Sequence, residues 1–183
     1  YLVSFSSVLF ANNLKVQNAS LVNQQAGSDY TYVQFDVSWD NSWRDVVNWD
    51  AAWVFVKYRG SDGLWKHATL SATGGDHTAP GGSTISAASD GKGIFIYRNT
   101  DGSGSNSWMT VQLRWNYGID GLADNAFVTV KVFAVEMVYV PQGQFSAGDG
   151  SNTGSSFYDA GLGNLLPFTV ASQSALTISS SGT

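Results

Sequence analysis

Residues 35–59, FDVSWDNSWRDVVNWDAAWVFVKYR, constrain the fold more than any other part of this chain. Four of its seven tryptophans, Trp39, Trp43, Trp49 and Trp53, fall there. Val33, Phe35, Val37 and Trp39 alternate with polar residues, and Trp53, Phe55 and Val56 continue the apolar pattern less strictly. Alternation with period two is the mark of a strand with one buried face, so the stretch reads as two strands joined by an aromatic corner. Large aromatics fix geometry when packed, which makes the corner a structural anchor, with Trp39 and Trp53 expected in the core.

The rest of the chain reads as strands at residues 14–22, 30–39, 52–59, 64–70, 94–98, 109–117 and 126–140. Asp-Gly pairs punctuate it at Asp62-Gly63, Asp90-Gly91, Asp101-Gly102, Asp120-Gly121 and Asp149-Gly150. Asp tolerates turn conformations and Gly supplies positive φ, so each pair is a reversal point. Residues 59–63 should make the clearest hairpin. No window carries apolar residues at helical spacing. The expectation is an all-β fold, an antiparallel β-sandwich of immunoglobulin or jelly-roll type, spanning residues 12–140 with negligible helix. Residues 71–92, rich in Gly, Ser, Thr and Ala, read as a long, mobile surface loop. Residues 141–183 read as a Gly/Ser-rich C-terminal extension with apolar runs around Leu165, Leu166 and Phe168.

Residues 1–11, YLVSFSSVLFA, are apolar and uncharged. They read either as an N-terminal edge strand or as the remnant of a secretory signal peptide cut after Ala11. Both place the protein outside the cell or at its surface. No segment is long enough to span a bilayer as a helix.

Composition excludes several chemistries. There is no cysteine, hence no disulfide, thiolate metal site or thiol catalysis. The nine Lys and Arg are scattered and the net charge is -5, which argues against a nucleic-acid partner. Charged residues make up only 13%, about half the usual share.

Catalytic signals are poor. Thirteen aspartates accompany a single glutamate, Glu136, and most of the aspartates sit at turns, where local hydrogen bonding is their usual task. Asp36, on the solvent side of its strand, and Asp50, beside the tryptophan corner, stand apart, and a structural role is expected for both. His67 falls in a strand and His77 in the long loop, without a third ligand to make a metal site. No Gly-x-Ser-x-Gly elbow occurs. Asp101, Ser103 and Ser105 place oxygens at alternate positions as calcium loops do, but Gln112 stands where a closing glutamate belongs, and a plain hairpin loop is the better reading. Asn18-Ala19-Ser20 is an N-glycosylation sequon. The chain reads as a non-enzyme without cofactor.

Residues 33–43 (VQFDVSWDNSW), 48–59 (NWDAAWVFVKYR), 65–70 (WKHATL), 89–98 (SDGKGIFIYR) and 111–145 resemble a family of bacterial surface proteins. In that family a secreted β-sandwich precedes a domain similar to formylglycine-generating, sulfatase-modifying enzymes. Residues 136–145, EMVYVPQGQF, resemble the opening strand of that second domain, with Gln142 where the first glycine of a Val-Pro-Gly-Gly stretch would stand. The cysteines of its oxidative chemistry are missing, so the resemblance implies a secreted surface protein and carries no enzymatic activity over.

Three functions follow as expectations. The first is a structural subunit of an extracellular fibre, sheath or tube. Its copies would associate by β-strand addition through Leu2, Phe5, Val8, Leu9 and Phe10, or through Leu165, Leu166 and Phe168. The second is a carbohydrate-binding module that stacks sugars on Trp43, Trp49 and Trp65, a reading that burial of all three would sink. The third is a non-catalytic accessory domain of a larger secreted enzyme.

Overall fold

The alternation around the tryptophan corner becomes the spine of an all-β, sandwich-like fold. The computed structural model describes residues 12–139, 143–148, 167–172 and 174. The chain divides into two compact units, residues 1–140 and 141–183. In the first unit the strands are β1 (Lys15–Gln25), β2 (Tyr30–Arg44), β3 (Trp49–Arg59), β4 (Trp65–His67), β5 (Ser83–Ala87), β6 (Ile94–Arg98), β7 (Gly102–Trp115) and β8 (Thr129–Tyr139). In the second, β9 (Phe145–Ala147) pairs antiparallel with β10 (Phe168–Val170). The expected all-β class is what forms; among the described residues the helical content is two 3-10 turns.

The eight described strands of the first unit belong to one antiparallel sheet, yet β2 and β3 meet only at Arg44 and Trp49. The sheet therefore folds over at that corner into two leaves. One is β1-β2-β7; in the other β3 carries β8 along one edge and β6 and β4 along the opposite edge, with β5 beyond β6. Between the leaves Val33, Phe35, Val37 and Trp39 of β2 pack with Val54, Val56 and Tyr58 of β3, Ile94 and Ile96 of β6, and Leu113 and Trp115 of β7, all buried. Trp53 departs from expectation. The inward parity of β3 belongs to Asp50, Ala52, Val54 and Val56, so Trp53 lies half-buried on the far side, across Phe95 at 4.7 Å. Gly93 makes room for it, since a Cβ there would lie 2.5 Å from the Trp53 ring.

The corner is held by a buried carboxylate. Asp50, 1% exposed, accepts from the Trp39 indole N–H at 2.6 Å, the Ser42 hydroxyl at 2.9 Å and the Trp43 amide at 3.0 Å. Ser42 in turn accepts from Asn106 and Arg98. Three donors compensate a charge that would be prohibitive if left bare. A second pairing of the same kind joins the Trp115 indole to Asp120, which also takes the amide and hydroxyl of Thr69. Among the described residues no buried side-chain nitrogen or oxygen lacks a partner.

Asparagine sets the shape of β1. Asn13, Asn18 and Asn23 recur every fifth residue, each with φ between 52° and 55°. At Asn18 and Asn23 the register against β2 slips by one, because Gln17 to Ser20 faces Asp36 to Gln34 and Val22 to Gln25 faces Tyr32 to Tyr30. These are β-bulges; Asn suits them because it tolerates left-handed backbone, and each bends the strand. Asp36 joins one of them to a bulge on β7: it accepts from the Asn18 side chain at 2.6 Å and from the amide of Thr110, whose φ is 57°. Those two bonds hold the Asp36 carboxyl below the usual carboxylate range.

The expected long, mobile loop is more ordered than its composition suggested. It contains a 3-10 turn at Gly74–Asp76 and strand β5, and with the preceding Leu70 its first part covers the outer edge of the end of β7 through bridges Leu70–Trp115 and Thr78–Gln112. His77 is buried rather than mobile. Its Nδ1 accepts the Arg114 amide at 3.1 Å, and its Nε2–H donates to the Ser71 carbonyl at 3.0 Å. Of residues 101–106, expected as a hairpin loop, all but Asp101 belong to β7 instead, pairing Gly102 with Arg44 and Gly104 with Ser42.

Candidate functional site

A sheet with one face in water normally carries polar residues there. The outward parity of the β3 leaf does not. From β3 it presents Trp49, Ala51, Trp53 and Phe55; from β8, Phe133, Val135, Met137 and Tyr139; from β6, Phe95 and Tyr97. The register sets Trp49 opposite Tyr139, Ala51 opposite Met137, Trp53 opposite Val135 and Phe55 opposite Phe133. Phe133, Val135, Met137 and Tyr139 remain 42–51% exposed. The rings stack: Trp49 on Tyr139 at 4.2 Å, Phe55 on Phe133 at 5.2 Å and on His67 at 5.8 Å. Contiguous apolar surface on this scale marks a place where something binds.

At the corner end this face deepens into a cleft of about 460 Å3, lined by Trp49, Ala51, Ser86, Phe95, Tyr97 and Tyr139 together with Met137 and Val138. The Arg44 guanidinium lies 4.5 Å over the Trp49 ring and 3.7 Å from Asp101. At the opposite end of β3, Trp65 is flanked by Arg59 at 5.3 Å and Lys131 at 5.0 Å.

Of the three tryptophans read as sugar platforms, none is buried and no two share a site. Trp49 floors the cleft. Trp65 pairs with Arg59, ten positions along β3 and so about 33 Å away. Trp43 belongs to β2, opposite Ser103 of β7. The calcium-like residues do not converge either. Asp101, just before β7, pairs with Arg44; Ser103 and Ser105 lie in the exposed start of β7, where Ser105 donates to Asp40 at 2.9 Å. Among the described residues no cluster of three His, Asp or Glu could hold a metal ion. Asn18 is exposed, and the side-chain nitrogen a glycan would take is the one donating to Asp36. Leu2, Phe5, Val8, Leu9, Phe10, Leu165 and Leu166 lie outside the described residues, and Phe168 opens β10.

The edges differ in their readiness for a further strand. β7 is covered by residues 70–78 over Gln112–Trp115, and β1 is bent by its bulges. β8 matches β3 from Trp49–Tyr139 to Arg59–Thr129 without a slip; among the described residues its outer edge joins no ladder, but it faces β1 across a groove lined by Val16, Gln17, Val130 and Val132, and the Asn12 side chain donates to Glu136. Residues 136–139, which resemble the opening of a second domain, form the end of this strand.

The outer face is not told from the core face by periodicity alone. The signal was there: AAWVFV in β3 and VFAVEMVY in β8 are apolar at both parities, as a strand covered on both faces would be. No protein-family model, curated protein or solved structure matches the chain.

Proposed function

We propose that this protein is a non-catalytic structural subunit of an extracellular assembly, and that its copies associate through the outer face and outer edge of β8. The observation that carries this reading is the apolar outward face shared by β3 and β8. Leaving it in water wastes roughly 25 cal/mol per Å2, which a neighbouring copy recovers by covering it. The unslipped β8 edge supports strand addition beside that face, the added strand entering the groove that separates β8 from β1. Asp36 and Asp50, the carboxylates that stood apart in the sequence, are both committed to structural hydrogen bonds. The resemblance to bacterial surface proteins agrees with a location outside the cell, and an accessory domain of a larger secreted protein would use the same face.

The test is a paired substitution, Phe133→Lys with Val135→Glu, read by light scattering and negative-stain imaging. Wild type should form fibres or large oligomers at rising concentration, while the variant stays monomeric with its melting temperature within a few degrees of wild type. A wild type that stays monomeric at its highest soluble concentration would remove the reading.

A second reading rests on the cleft alone. Trp49 stacked on Tyr139 beside Tyr97 gives the flat aromatic floor that a sugar ring packs against. Titration with a panel of polysaccharides would favour this reading if wild type binds one of them and Trp49→Ala does not.

A further inference from the structure

Resting on the assembly reading, we propose that residues 1–11 of one copy are the strand that enters the groove between β1 and β8 of the next, so that each copy completes its neighbour's sheet. This seam is where the core is incompletely covered: Leu14, Val16, Val130, Val132 and Ala134 pack against it yet stay partly exposed. β1 and β8 face each other there in antiparallel sense. Asn12 reaches Glu136 at one end, and Val16 to Ala19 face Val130 to Phe133 further along, around a groove of about 290 Å3. Among the described residues β1 joins a ladder only with β2, and β8 only with β3. Each therefore turns a row of unpaired N–H and C=O groups toward the groove.

Residues 1–11 have the chemistry this groove calls for. They carry no charge, and Tyr1, Val3 and Phe5 alternate with Leu2, Ser4 and Ser6. A strand of that pattern turns one apolar row toward Val130 and Val132 and sets two serines on the other side. Eleven extended residues span about 36 Å, whereas Val130 to Phe133 occupy about 13 Å, so enough chain remains to connect two copies. Phe133 belongs both to the groove and to the outer face, so the inserted strand widens that face instead of competing with it.

The direction of the chain at Asn12 points to a neighbour's groove. The Asp40 amide donates to the Asn12 carbonyl at 2.6 Å, so at Asn12 the chain already lies beside β2 on the line of β1. A segment approaching on that line comes from beyond the corner and would have to reverse to enter the groove of its own copy. In the next copy it needs no reversal. There it runs parallel to β1 and antiparallel to β8, the stronger kind of pairing falling on the edge without bulges. It then leaves the groove at the far end and continues straight into Asn12 and β1 of its own copy. A contact of this kind is heterologous and propagates head to tail as a fibre.

Deletion of residues 1–11 should leave a folded chain, read by circular dichroism, that forms no fibres and keeps at most weak association through the outer face. Introduced thiols then locate the strand, because the chain has no cysteine of its own. Ser4→Cys and Gln17→Cys, the latter an exposed residue of the groove, are made in separate full-length chains and mixed before assembly. A short bismaleimide should join them into a covalent pair of copies, and a chain carrying both substitutions should give a ladder of covalent multimers. Fibres of the deleted chain indistinguishable from wild type would overturn the donor strand, assign the contact to another segment such as residues 165–178, and leave the assembly reading standing. A double variant that links only within itself would place the segment in its own groove and overturn the exchange between copies, as would one that does not link at all. Wild type that never assembles would overturn the assembly reading and this inference with it.

Discussion

The Asp50 carboxylate accepts the indole N–H of Trp39 at 2.6 Å, eleven residues back across the fold of the sheet. The two leaves are joined at this corner by one residue pair of β2 and β3, Arg44 and Trp49, so the carboxylate carries much of the junction. Asp50→Ala would strand the Trp39 indole, the Ser42 hydroxyl and the Trp43 amide in a dry interior. Each unmet donor costs about 1–3 kcal/mol, and we expect a loss of roughly 3–5 kcal/mol after partial relaxation. Urea unfolding of the purified domain measures it.

The two tryptophans expected in the core should now behave differently. Trp39 is 1% exposed, and Trp39→Ala should lower stability by about 3–5 kcal/mol, as truncation of a packed aromatic does. Trp53 lies half-buried on the outer face against Phe95, and Trp53→Ala should lose only about 1–2 kcal/mol. Equal losses at the two sites would mean that the outer face is covered in solution even in the isolated subunit.

How far the fold could be read from sequence follows from which rule each segment obeys. β6 was legible to the residue, because IFIYR is a short β-branched and aromatic run bounded by Gly93 and Asn99. The 59–63 hairpin was legible because Asp62-Gly63 leaves the chain little choice, and Gly63 takes φ 73°. Trp53 was misplaced because β3 is apolar at both parities, so periodicity says strand without saying which face is core. The start of β7 was missed because Gly102, Ser103 and Gly104 carry turn chemistry while tertiary pairing with β2 draws them into a strand. The cleft was illegible except for Trp49: its walls come from β3, β5, β6 and β8, and only the register brings them together.

Thr110 is a strained position. A β-branched residue at φ 57° is disfavoured by its own Cβ, and here its hydroxyl donates to the adjacent Met109 carbonyl. The Asp36 bond to the Thr110 amide and the bulge it completes hold the backbone there. Asn tolerates this conformation, as Asn18 shows in β1, so Thr110→Asn should raise stability by about 1 kcal/mol. A thermal shift assay that finds Thr110→Asn less stable than wild type would contradict the strain.

His77 makes the covering of the β7 edge sensitive to acid. Its Nδ1 accepts the Arg114 amide and its Nε2–H donates to the Ser71 carbonyl, so only the neutral ring in one tautomer fits. Burial pushes its pKa below the usual 6.5; the Ser71 bond and Asp76 oppose this, while Arg114 adds to it. Asp76 and Arg114 are paired at 3.2 Å, and Arg114 also lies over the Tyr30 ring, so neither is free to compensate a new charge on the imidazole. In the unfolded chain the ring takes up a proton as pH falls through about 6.5, whereas the folded chain resists it to lower pH. The contribution of neutral His77 is therefore fully present above about pH 6.5 and is lost progressively below it. Between about pH 7.5 and about 5.5 the wild type should lose more unfolding free energy than His77→Ala does, because the variant has no such group to titrate. Hydrogen exchange should place the loss at the Thr78 and Gln112 amides, which bond across to each other's carbonyls. Identical pH slopes for the two proteins would show that residues 70–78 hold the β7 edge without help from the imidazole.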